Sequence, residues 1–361
     1  RPIGAFAFDK RIQNNTLPAM AKKYNVGVIG YGWAATAHIP AINACPNAQV
    51  TAIYSSRPQD EAALSAQYGS PIKAYTDLDK FMKDDSIDVV DITSYPDQHA
   101  KQAIAAAKAG KHIILEKPIA LTLKECRDIK KAIDKAGVLT CVCFECRFSS
   151  QFQVTKRVID QGLLGELHYG EIDYYHGIGP WYGQFRWNIK KSAGGSSLLT
   201  AGCHALDALL MCMGSEAVEV TSYDTRSSSK IFKPYEYTTT SVSIIKFKNG
   251  AVGKCAAVVD CIQPYYFHTH LVGSEGSLLD NKFYSTKLNA LEKGGWDTLD
   301  MKMLDSGDVS DHPYQTQFLS FFESLAMGKK MPLTSYDEAF KSFEVTFAAD
   351  KSAATGKPVK I

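Results

Sequence analysis

Two short segments of the sequence carry residue types suited to moving a hydride and a proton. In the first, residues 112–115 (His-Ile-Ile-Leu) precede Glu116, Lys117 and Pro118. Proline disfavours helical backbone at the residue before it and lacks a backbone donor, so the lysine should be held at the carboxyl end of a short strand. A cation fixed at that edge can orient a substrate hydroxyl and stabilise charge developing on its oxygen.

The second segment, residues 26–35, is a β-branched run that turns through glycines into an apolar helix reaching about residue 44. Gly30, Gly32 and Ala35 form the pattern G-x-G-x-x-A, which lets backbone N–H groups approach a pyrophosphate at the positive end of the helix. The pattern therefore predicts a dinucleotide site. The residues expected to contact the cofactor at this turn are Gly30, Gly32, Trp33 and Ala34. His38, on the same helix, is expected to be a packed or capping residue rather than a ligand.

A third segment, residues 194–210, begins with glycines and a serine N-cap and continues as an apolar helix. Thr200, His204 and Asp207 fall at i, i+4 and i+7 and form one polar stripe. Such a stripe is either a satisfied core network or an active-site face, and Lys117 favours the active site. Oxidation of a secondary alcohol sends its hydroxyl proton to a base, a role that neutral histidine suits near pH 7. We expect Lys117 and His204 to be catalytic, Thr200 to bind a hydroxyl, and Asp207 either to orient His204 or to belong to a local network.

The end of the second predicted strand should decide which nicotinamide cofactor binds. An acidic residue there would bind the ribose hydroxyls of NAD and repel the 2′-phosphate of NADP. This chain has Ser55, Ser56 and Arg57 instead. Hydroxyls and a guanidinium suit a phosphate, so the sequence slightly favours NADP over NAD. The residues expected to line the cofactor site after the third predicted strand are Thr93, Ser94, Tyr95 and His99. His99 is equally well explained as packing at a helix start.

An aromatic and glycine-rich loop, residues 174–188, precedes the helix with the polar stripe. Aromatic faces pack on the C–H surfaces of sugars, and polar side chains among them can bind hydroxyls. The predicted substrate-binding residues are His176, Trp181, Tyr182, Arg186, Trp187 and Asn188, together with His204. The alternative for this loop is a hydrophobic lid or a subunit contact. Because no cluster of basic residues surrounds it, a neutral hexose or glucoside is preferred over a phosphorylated sugar.

The order of predicted elements changes near residue 146. Before it, short strands alternate with helices, which predicts a parallel sheet with right-handed crossovers. After it, longer alternating segments and the hairpin signal Asn249-Gly250 predict a largely antiparallel sheet. We therefore expect an α/β protein with a Rossmann domain at 22–146 and a C-terminal α/β domain with a large, mostly antiparallel open sheet at 147–361. Residues 1–21 are interpreted as a leader or an added extension.

Composition and charge narrow the possible partners. The chain has 361 residues, a length that favours two domains, and its net charge of +2 indicates neither a nucleic-acid nor an anionic-membrane partner. The sequence contains no run of 18 apolar residues, so no membrane span is expected. Nine cysteines without the spacing of a disulfide framework predict free thiols in a reducing cytoplasm. Cys141, Cys143 and Cys146 lack a second pair at zinc spacing, so no metal is expected there.

Several of these motifs, in this order and spacing, resemble the Gfo/Idh/MocA oxidoreductases. The motifs are the turn at 30–35, Thr93-Ser-Tyr-Pro-Asp-Gln-His99, Glu116-Lys117-Pro118, Arg147-Phe148, Leu164-Gly-Glu166 and Ala193-Gly-Gly195. The resemblance extends to the Gly356-Lys-Pro358 tail and implies chemistry on sugars, cyclitols or related polyols at the junction of two domains. It also places Glu116, Lys117 and Arg147 near the cofactor. In many relatives the position of Thr200 carries aspartate, and this chain departs from that pattern.

The combined prediction is an NAD(P)-dependent dehydrogenase that oxidises a secondary hydroxyl of a sugar or glycoside, with C3 of a glucoside as its most specific form. One alternative is a glycosidase of the same fold that uses NAD transiently. Another is a non-catalytic regulator that senses nucleotide. Strands such as residues 242–247 and 256–259 carry apolar residues beyond strict alternation, so the broad face of the second sheet is expected to form a homo-oligomer.

Overall fold

The computed structural model describes residues 22–288, 294–308 and 311–361. The predicted extension at 1–21 lies outside the described residues. Within them, the strands form a six-stranded and a nine-stranded sheet. This confirms the expected α/β fold, with a Rossmann sheet followed by a mostly antiparallel one.

The first sheet consists of parallel strands that are buried on both faces. Its strands are β1 (Tyr24–Ile29), β2 (Ala48–Tyr54), β3 (Lys73–Tyr75), β4 (Val89–Ile92), β5 (His112–Leu115) and β6 (Thr140–Val142). Every residue of β4 and β6 is buried, as expected when helices cover both sides of a sheet. The strand order β3-β2-β1-β4-β5-β6 changes direction between β1 and β4. At such a point the carboxyl ends of the strands open a crevice in which α/β proteins bind ligands.

Helices connect these strands in the described part of the chain. They are α1 (Trp33–Asn43), α2 (Glu61–Tyr68), α3 (Leu78–Met82), α4 (Pro96–Lys108) and α5 (Leu123–Ala136). The side chains of Asp60, Asp77 and Thr122 cap α2, α3 and α5 by accepting hydrogen bonds from backbone N–H groups. The N-cap of α1 is Gly32, and no described side chain caps it. The amino end of α1 therefore keeps free donors at the crevice.

The second sheet begins after the predicted change in the order of elements near residue 146. Its strands are β7 (Leu167–Tyr175), β8 (Ala217–Thr225), β9 (Thr240–Phe247), β10 (Val252–Val258), β11 (Tyr266–Gly273), β12 (Gly276–Leu279), β13 (Lys282–Ser285), β14 (Asp297–Thr298) and β15 (Val359–Lys360). Their order is β14-β13-β12-β11-β7-β10-β9-β8-β15. Among the described pairs, β7 and β10 are parallel and the others antiparallel. Gly250, at φ +90°, turns the predicted hairpin between β9 and β10.

The remaining helices join the two sheets. They are α6 (Ser150–Asp160), α7 (Phe185–Asn188), α8 (Lys191–Gly194), α9 (Cys203–Met213), α10 (Tyr314–Ala326) and α11 (Tyr336–Thr355). α9 packs on β7 and β10, whereas α10 returns to α1 and shares its core through Phe318 and Phe322. The domain boundary predicted near residue 146 falls between β6 and β7. It stays a prediction, because α10 follows that boundary in the chain but packs with α1, which precedes it.

The segment Lys191–Met213 is the central helical connection. It has the length and hydropathy of a membrane span, but 83% of its apolar window is buried inside the protein. Residues Leu198–Gly202 form a π turn directly before α9, which the sequence did not predict. A Cβ on Gly202 would lie 2.2 Å from that of Ala257 on β10, so glycine is needed for this close approach.

Candidate active site

A cavity of about 510 Å³ lies at the carboxyl ends of β1, β2, β4 and β5 and extends to the π turn and α9. It brings together residues that the sequence predicted separately for the cofactor, the substrate and the chemistry. The predicted residues that line it are Gly30, Gly32, Trp33, Ala34, Ser55, Ser56, Arg57, Thr93, Ser94, Tyr95, Glu116, Lys117, Tyr182, Trp187, Asn188, Thr200 and His204. Both sheets therefore contribute to one site.

Gly30 and Gly32 of the glycine turn differ in backbone conformation and in the space around them. Gly30 has φ +92°, and a Cβ there would lie 2.9 Å from the backbone nitrogen of Ser94. Gly32 has extended backbone, and its Cβ would meet nothing within 4 Å. The first glycine is thus required by the protein itself, whereas the second borders open space at the amino end of α1. This arrangement fits a pyrophosphate, which needs close backbone approach and free N–H donors.

Residues 54–59, at the end of β2 and after it, form one wall of the cavity. This wall carries the hydroxyls of Ser55 and Ser56 and the guanidinium of Arg57. The nearest acidic residue in sequence, Asp60, turns to the start of α2 and accepts hydrogen bonds from two backbone N–H groups. Among the described residues of this wall, 54–59, none is acidic. The wall can therefore accept an additional phosphate without a carboxylate opposing it.

The segment after β4 holds the glycine turn in place. Thr93 Oγ1 donates a hydrogen bond to the carbonyl of Gly30 at 2.9 Å. His99 does not line the cavity. Its buried ring nitrogens lie 2.7 Å from the carbonyl oxygen of Pro118 and 3.0 Å from that of Ser94. The structure therefore does not support a direct cofactor contact of His99, and the alternative, a packing residue that ties two loops together, describes its place.

Lys117 lies at the centre of the cavity, after β5. Its Nζ donates a hydrogen bond to the carbonyl of Thr200 at 3.3 Å, so the ammonium bridges the first sheet and the π turn. Burial lowers the pKa of Lys117, but Cys203, Glu116 and Glu145 raise it, and it ends above its ordinary value. The side chain therefore carries a positive charge at neutral pH.

Glu116 lines the cavity, but its carboxylate is already engaged. Oε1 accepts hydrogen bonds from the hydroxyl of Tyr314 and from His38, each at 3.0 Å, and Oε2 accepts one from the Lys117 backbone at 2.9 Å. His38 is completely buried, as predicted, and its other ring nitrogen contacts Asp91. Burial lowers the pKa of His38, yet the two carboxylates raise it to about 10. This charged network fixes the turn that carries Lys117.

His204 faces the cavity from α9 with Thr200 one turn before it. Burial, and then the charges of Lys117 and His312, lower the pKa of His204 well below its ordinary value. The imidazole is therefore neutral at pH 7 and can accept a proton. The hydroxyl of Thr200 donates to Oδ1 of Asn188 at 3.1 Å. A cation and a neutral base thus share a cavity with a dinucleotide turn.

Two family descriptions match this sequence. Residues 24–144 match "Oxidoreductase family, NAD-binding Rossmann fold", and residues 152–279 match "GFO/IDH/MocA C-terminal domain". Together the two matches span more than half of the chain. The chain belongs to the GFO/IDH/MocA oxidoreductase family. This confirms the resemblance that the motifs indicated.

Similar proteins span nearly the whole chain. An uncharacterized oxidoreductase of Bacillus subtilis is 27% identical over 350 residues, covering 95% of this chain and 98% of its own length. The myo-inositol 2-dehydrogenase of Thermotoga maritima is 24% identical over 336 residues, covering 93% and 98%. The structure of a levoglucosan dehydrogenase in complex with NADH and levoglucosan superposes with a TM-score of 0.81 at 24% identity, covering 94% of this chain and 99% of that one. At that identity it supports the fold alone.

Two predicted site residues of this GFO/IDH/MocA member, Arg147 and Asp207, are paired with each other outside the cavity lining. Arg147 does not line the cavity. Its Nε and Nη2 donate to the two carboxylate oxygens of Asp207, each at 2.6 Å, and Nη1 donates to the carbonyl of Leu333. Asp207 also accepts a hydrogen bond from the Ser342 hydroxyl, and within the described part of the chain no hydrogen bond or ion pair joins it to His204. Of the two roles considered for Asp207, the local network is the one that the structure supports. This buried ion pair holds α9 against the segment after β6.

The aromatic loop divides into residues that face the cavity and residues that do not. Tyr182, Trp187 and Asn188 line it. Trp33 packs edge-on against Tyr182 at 5.7 Å between ring centroids, so the loop touches the cofactor turn. His176 and Trp181 line a neighbouring open depression instead. Arg186 is exposed and lines neither cavity. Direct sugar contacts of these last three residues are therefore not supported.

The sequence missed several residues of the site in this family member. Tyr174, Tyr265, His312 and Tyr314 line the cavity, and Glu145 lies directly behind it. Tyr174 was present in the aromatic loop but carried no separate signal. The others are far apart in the chain: Tyr265 directly precedes β11, which pairs with β7, whereas His312 and Tyr314 arrive with α10, which packs on α1 and β6. Cys143 and Cys146 are buried, and burial keeps the pKa of both thiols well above the ordinary value.

Proposed function

We propose that this protein is an NAD(P)-dependent dehydrogenase that oxidises a secondary hydroxyl of a neutral sugar or glycoside to a ketone. The observation that carries the proposal is the shared cavity, in which the open glycine turn, the Lys117 ammonium and the neutral His204 meet. The nicotinamide, when bound, supplies the hydride acceptor. The chain's own residues must then hold the cofactor, orient the alcohol and take its proton.

Six cavity residues have assigned roles in this scheme. Gly30, Gly32 and the amino end of α1 hold the pyrophosphate. Lys117 donates a hydrogen bond to the substrate oxygen and stabilises the negative charge that develops as its proton leaves. His204 accepts that proton, because burial keeps it neutral before the reaction. Thr200 and Asn188 offer a hydroxyl and an amide for a second substrate hydroxyl.

The cofactor preference is proposed as NADP over NAD. Ser55, Ser56 and Arg57 support this choice, because the wall after β2 offers hydroxyls and a cation. Relatives of both kinds are known: one is a scyllo-inositol 2-dehydrogenase that uses NADP and another uses NAD, both from Bacillus subtilis.

The substrate is proposed to be an uncharged polyol ring. One relative is a myo-inositol 2-dehydrogenase, and another is a levoglucosan dehydrogenase. Tyr182 and Trp187 offer aromatic faces, and Asn188 is a neutral hydrogen-bonding group beside them. C3 of a glucoside remains the specific form of the proposal. We also propose a cytoplasmic location, since all nine cysteines are free thiols.

Kinetics of single variants test the assigned roles. Lys117→Ala and His204→Ala should each lower turnover about 10²-fold or more while nucleotide binding stays nearly native, because the cofactor is held mainly by the glycine turn. Thr200→Ala should be milder and mostly raise the KM for the sugar. Lys124→Ala, on the exposed face of α5, is the matched control and should leave all constants unchanged. Near-native turnover of His204→Ala would place the base elsewhere.

A further inference from the structure

Glu145 is a buried carboxyl group that the proposed reaction does not yet use. It follows β6 and is 1% exposed. Its Oε1 lies 3.7 Å from Nε2 of His204 and 3.3 Å from Nδ1 of His312. Its Oε2 and the Nδ1 of His204 are both buried without a hydrogen-bond partner among the described residues. Buried polar groups without partners are rare and are often kept for function.

Apart from Glu145, the groups around His204 oppose protonation of its imidazole ring. Lys117 is a permanent positive charge beside it, and burial disfavours any additional one. Asp207, on the same helix, is occupied by Arg147. Position 200, one turn before His204, is threonine and supplies no carboxylate. Among the described carboxylates, Glu145 is the one that contacts the His204 ring.

We infer that Glu145 is a positioning residue that acts through His204, its ionised carboxylate stabilising the imidazolium formed when His204 takes the substrate proton. This inference rests on the proposed function. In the full step the C–H bond of the carbinol breaks and its hydride goes to the oxidised nicotinamide. The hydroxyl proton goes to His204, whose imidazolium is stabilised by the ionised Glu145 carboxylate, and His204 gives the proton to water after the ketone has left the cavity. The products are a ketone, the reduced cofactor and one proton.

The ionisation of Glu145 should then control the pH dependence of turnover. Burial, and then the charge of Glu116, raise the pKa of Glu145 to about 8, although Lys117 and His38 lower it. The titratable or charged groups that face it are Glu116, Lys117, His38, His204, His312, Cys143, Cys146 and Cys203. The phenols of Tyr265 and Tyr314 also lie near, and burial keeps their pKa well above 10. In the range from pH 7 to 9, Glu145 is thus the group expected to change charge.

The test compares Glu145→Gln, which keeps the shape but cannot ionise, with the wild type from pH 5.5 to 9.5. Wild-type kcat for sugar oxidation should rise through about pH 8. In Glu145→Gln that rise should vanish, and kcat at pH 9 should fall about 10²-fold, with the Kd for NADP unchanged. Glu145→Asp should regain part of the rate and the rise. Asp350→Asn is the matched control: burial also raises the pKa of Asp350, to about 6, but it lies outside the cavity.

Thermal unfolding supplies a measurement that needs no turnover. A carboxyl group with a raised folded-state pKa contributes stability that is fully present below about pH 4.5 and is lost as the pH rises through about 8. The Tm of Glu145→Gln should therefore exceed that of the wild type increasingly from pH 5 to 9. Parallel Tm curves, or an unchanged pH rise of kcat in Glu145→Gln, would overturn the inference. The inference would also be overturned if the rise of kcat with pH disappeared in His204→Ala but persisted in Glu145→Gln. If no sugar is oxidised by the wild type, or if His204→Ala keeps native turnover, the proposed function fails instead.

Discussion

Alanine substitutions at the two glycines of the cofactor turn should affect the free energy of unfolding and the cofactor Kd differently. Gly32→Ala places a methyl group in space that contains no protein atom within 4 Å, on backbone that any residue can adopt. Its free energy of unfolding should therefore change by less than about 0.5 kcal/mol. The same methyl group lies where the pyrophosphate is proposed to approach the amino end of α1. We expect the Kd for NADP and for NAD to rise at least about tenfold, or about 1.4 kcal/mol.

Gly30→Ala should behave differently. The residue has φ +92°, and its new Cβ would lie 2.9 Å from the nitrogen and 3.0 Å from the Cα of Ser94. Left-handed backbone costs an alanine about 1–2 kcal/mol, and the contact with rigid backbone adds a similar amount. A loss of about 3 kcal/mol in the free energy of unfolding is expected, together with weaker cofactor binding.

Urea unfolding gives the two free energies, and quenching of tryptophan fluorescence gives the dissociation constants, since Trp33 lies on the turn. Gly183→Ala is a matched control, because a Cβ there also meets nothing within 4 Å and the residue does not line the cavity. It should change neither quantity. Native cofactor affinity in Gly32→Ala would refute the placement of the pyrophosphate. A loss of stability in Gly32→Ala equal to that in Gly30→Ala would refute the account of the open space.

Two other predictions concern the cofactor wall and the outer sheet face. Arg57→Ala should raise the Kd for NADP about tenfold more than the Kd for NAD. Arg127→Ala, at an exposed position on α5, is the control and should change neither Kd. Equal effects of Arg57→Ala on both cofactors would remove the reason for preferring NADP. Sedimentation at micromolar concentration should show an oligomer, because Tyr223, Ile244 and Val252 are exposed on one open sheet face, and Ile244→Asp should shift it toward monomer. A wild-type monomer would contradict this expectation.

The sequence was informative where a local pattern specifies a turn or the end of a strand. The glycine turn and Lys117 before proline were placed correctly, because a strand end and its next few residues determine where such groups lie. The long alternating strands likewise predicted the second sheet. The helix stripe was only partly right: the π turn before α9 places Thr200 against Lys117, and Asp207 faces Arg147 rather than His204.

What the sequence missed depends on packing between distant segments. Glu145 and His312 lie 167 positions apart and meet because α10 returns to the first sheet. Nothing in either local sequence marks that meeting. Aromatic density identified the loop, but whether Tyr182 or Trp181 faces the cavity depends on how the loop packs against residues 261–265, between β10 and β11. Composition cannot supply that orientation.

The central claim is that this cavity transfers a hydride from a sugar carbinol to a nicotinamide. The most direct measurement incubates the protein with NADP or NAD and a panel of hexoses, inositols and glucosides, following nicotinamide absorbance and identifying the sugar product by NMR. A dehydrogenase should give reduced cofactor and one keto-sugar in equal amounts. Release of free sugar from a glucoside without net cofactor reduction would indicate a glycosidase. Cofactor binding with no sugar converted would indicate a nucleotide sensor, and either result would contradict the account.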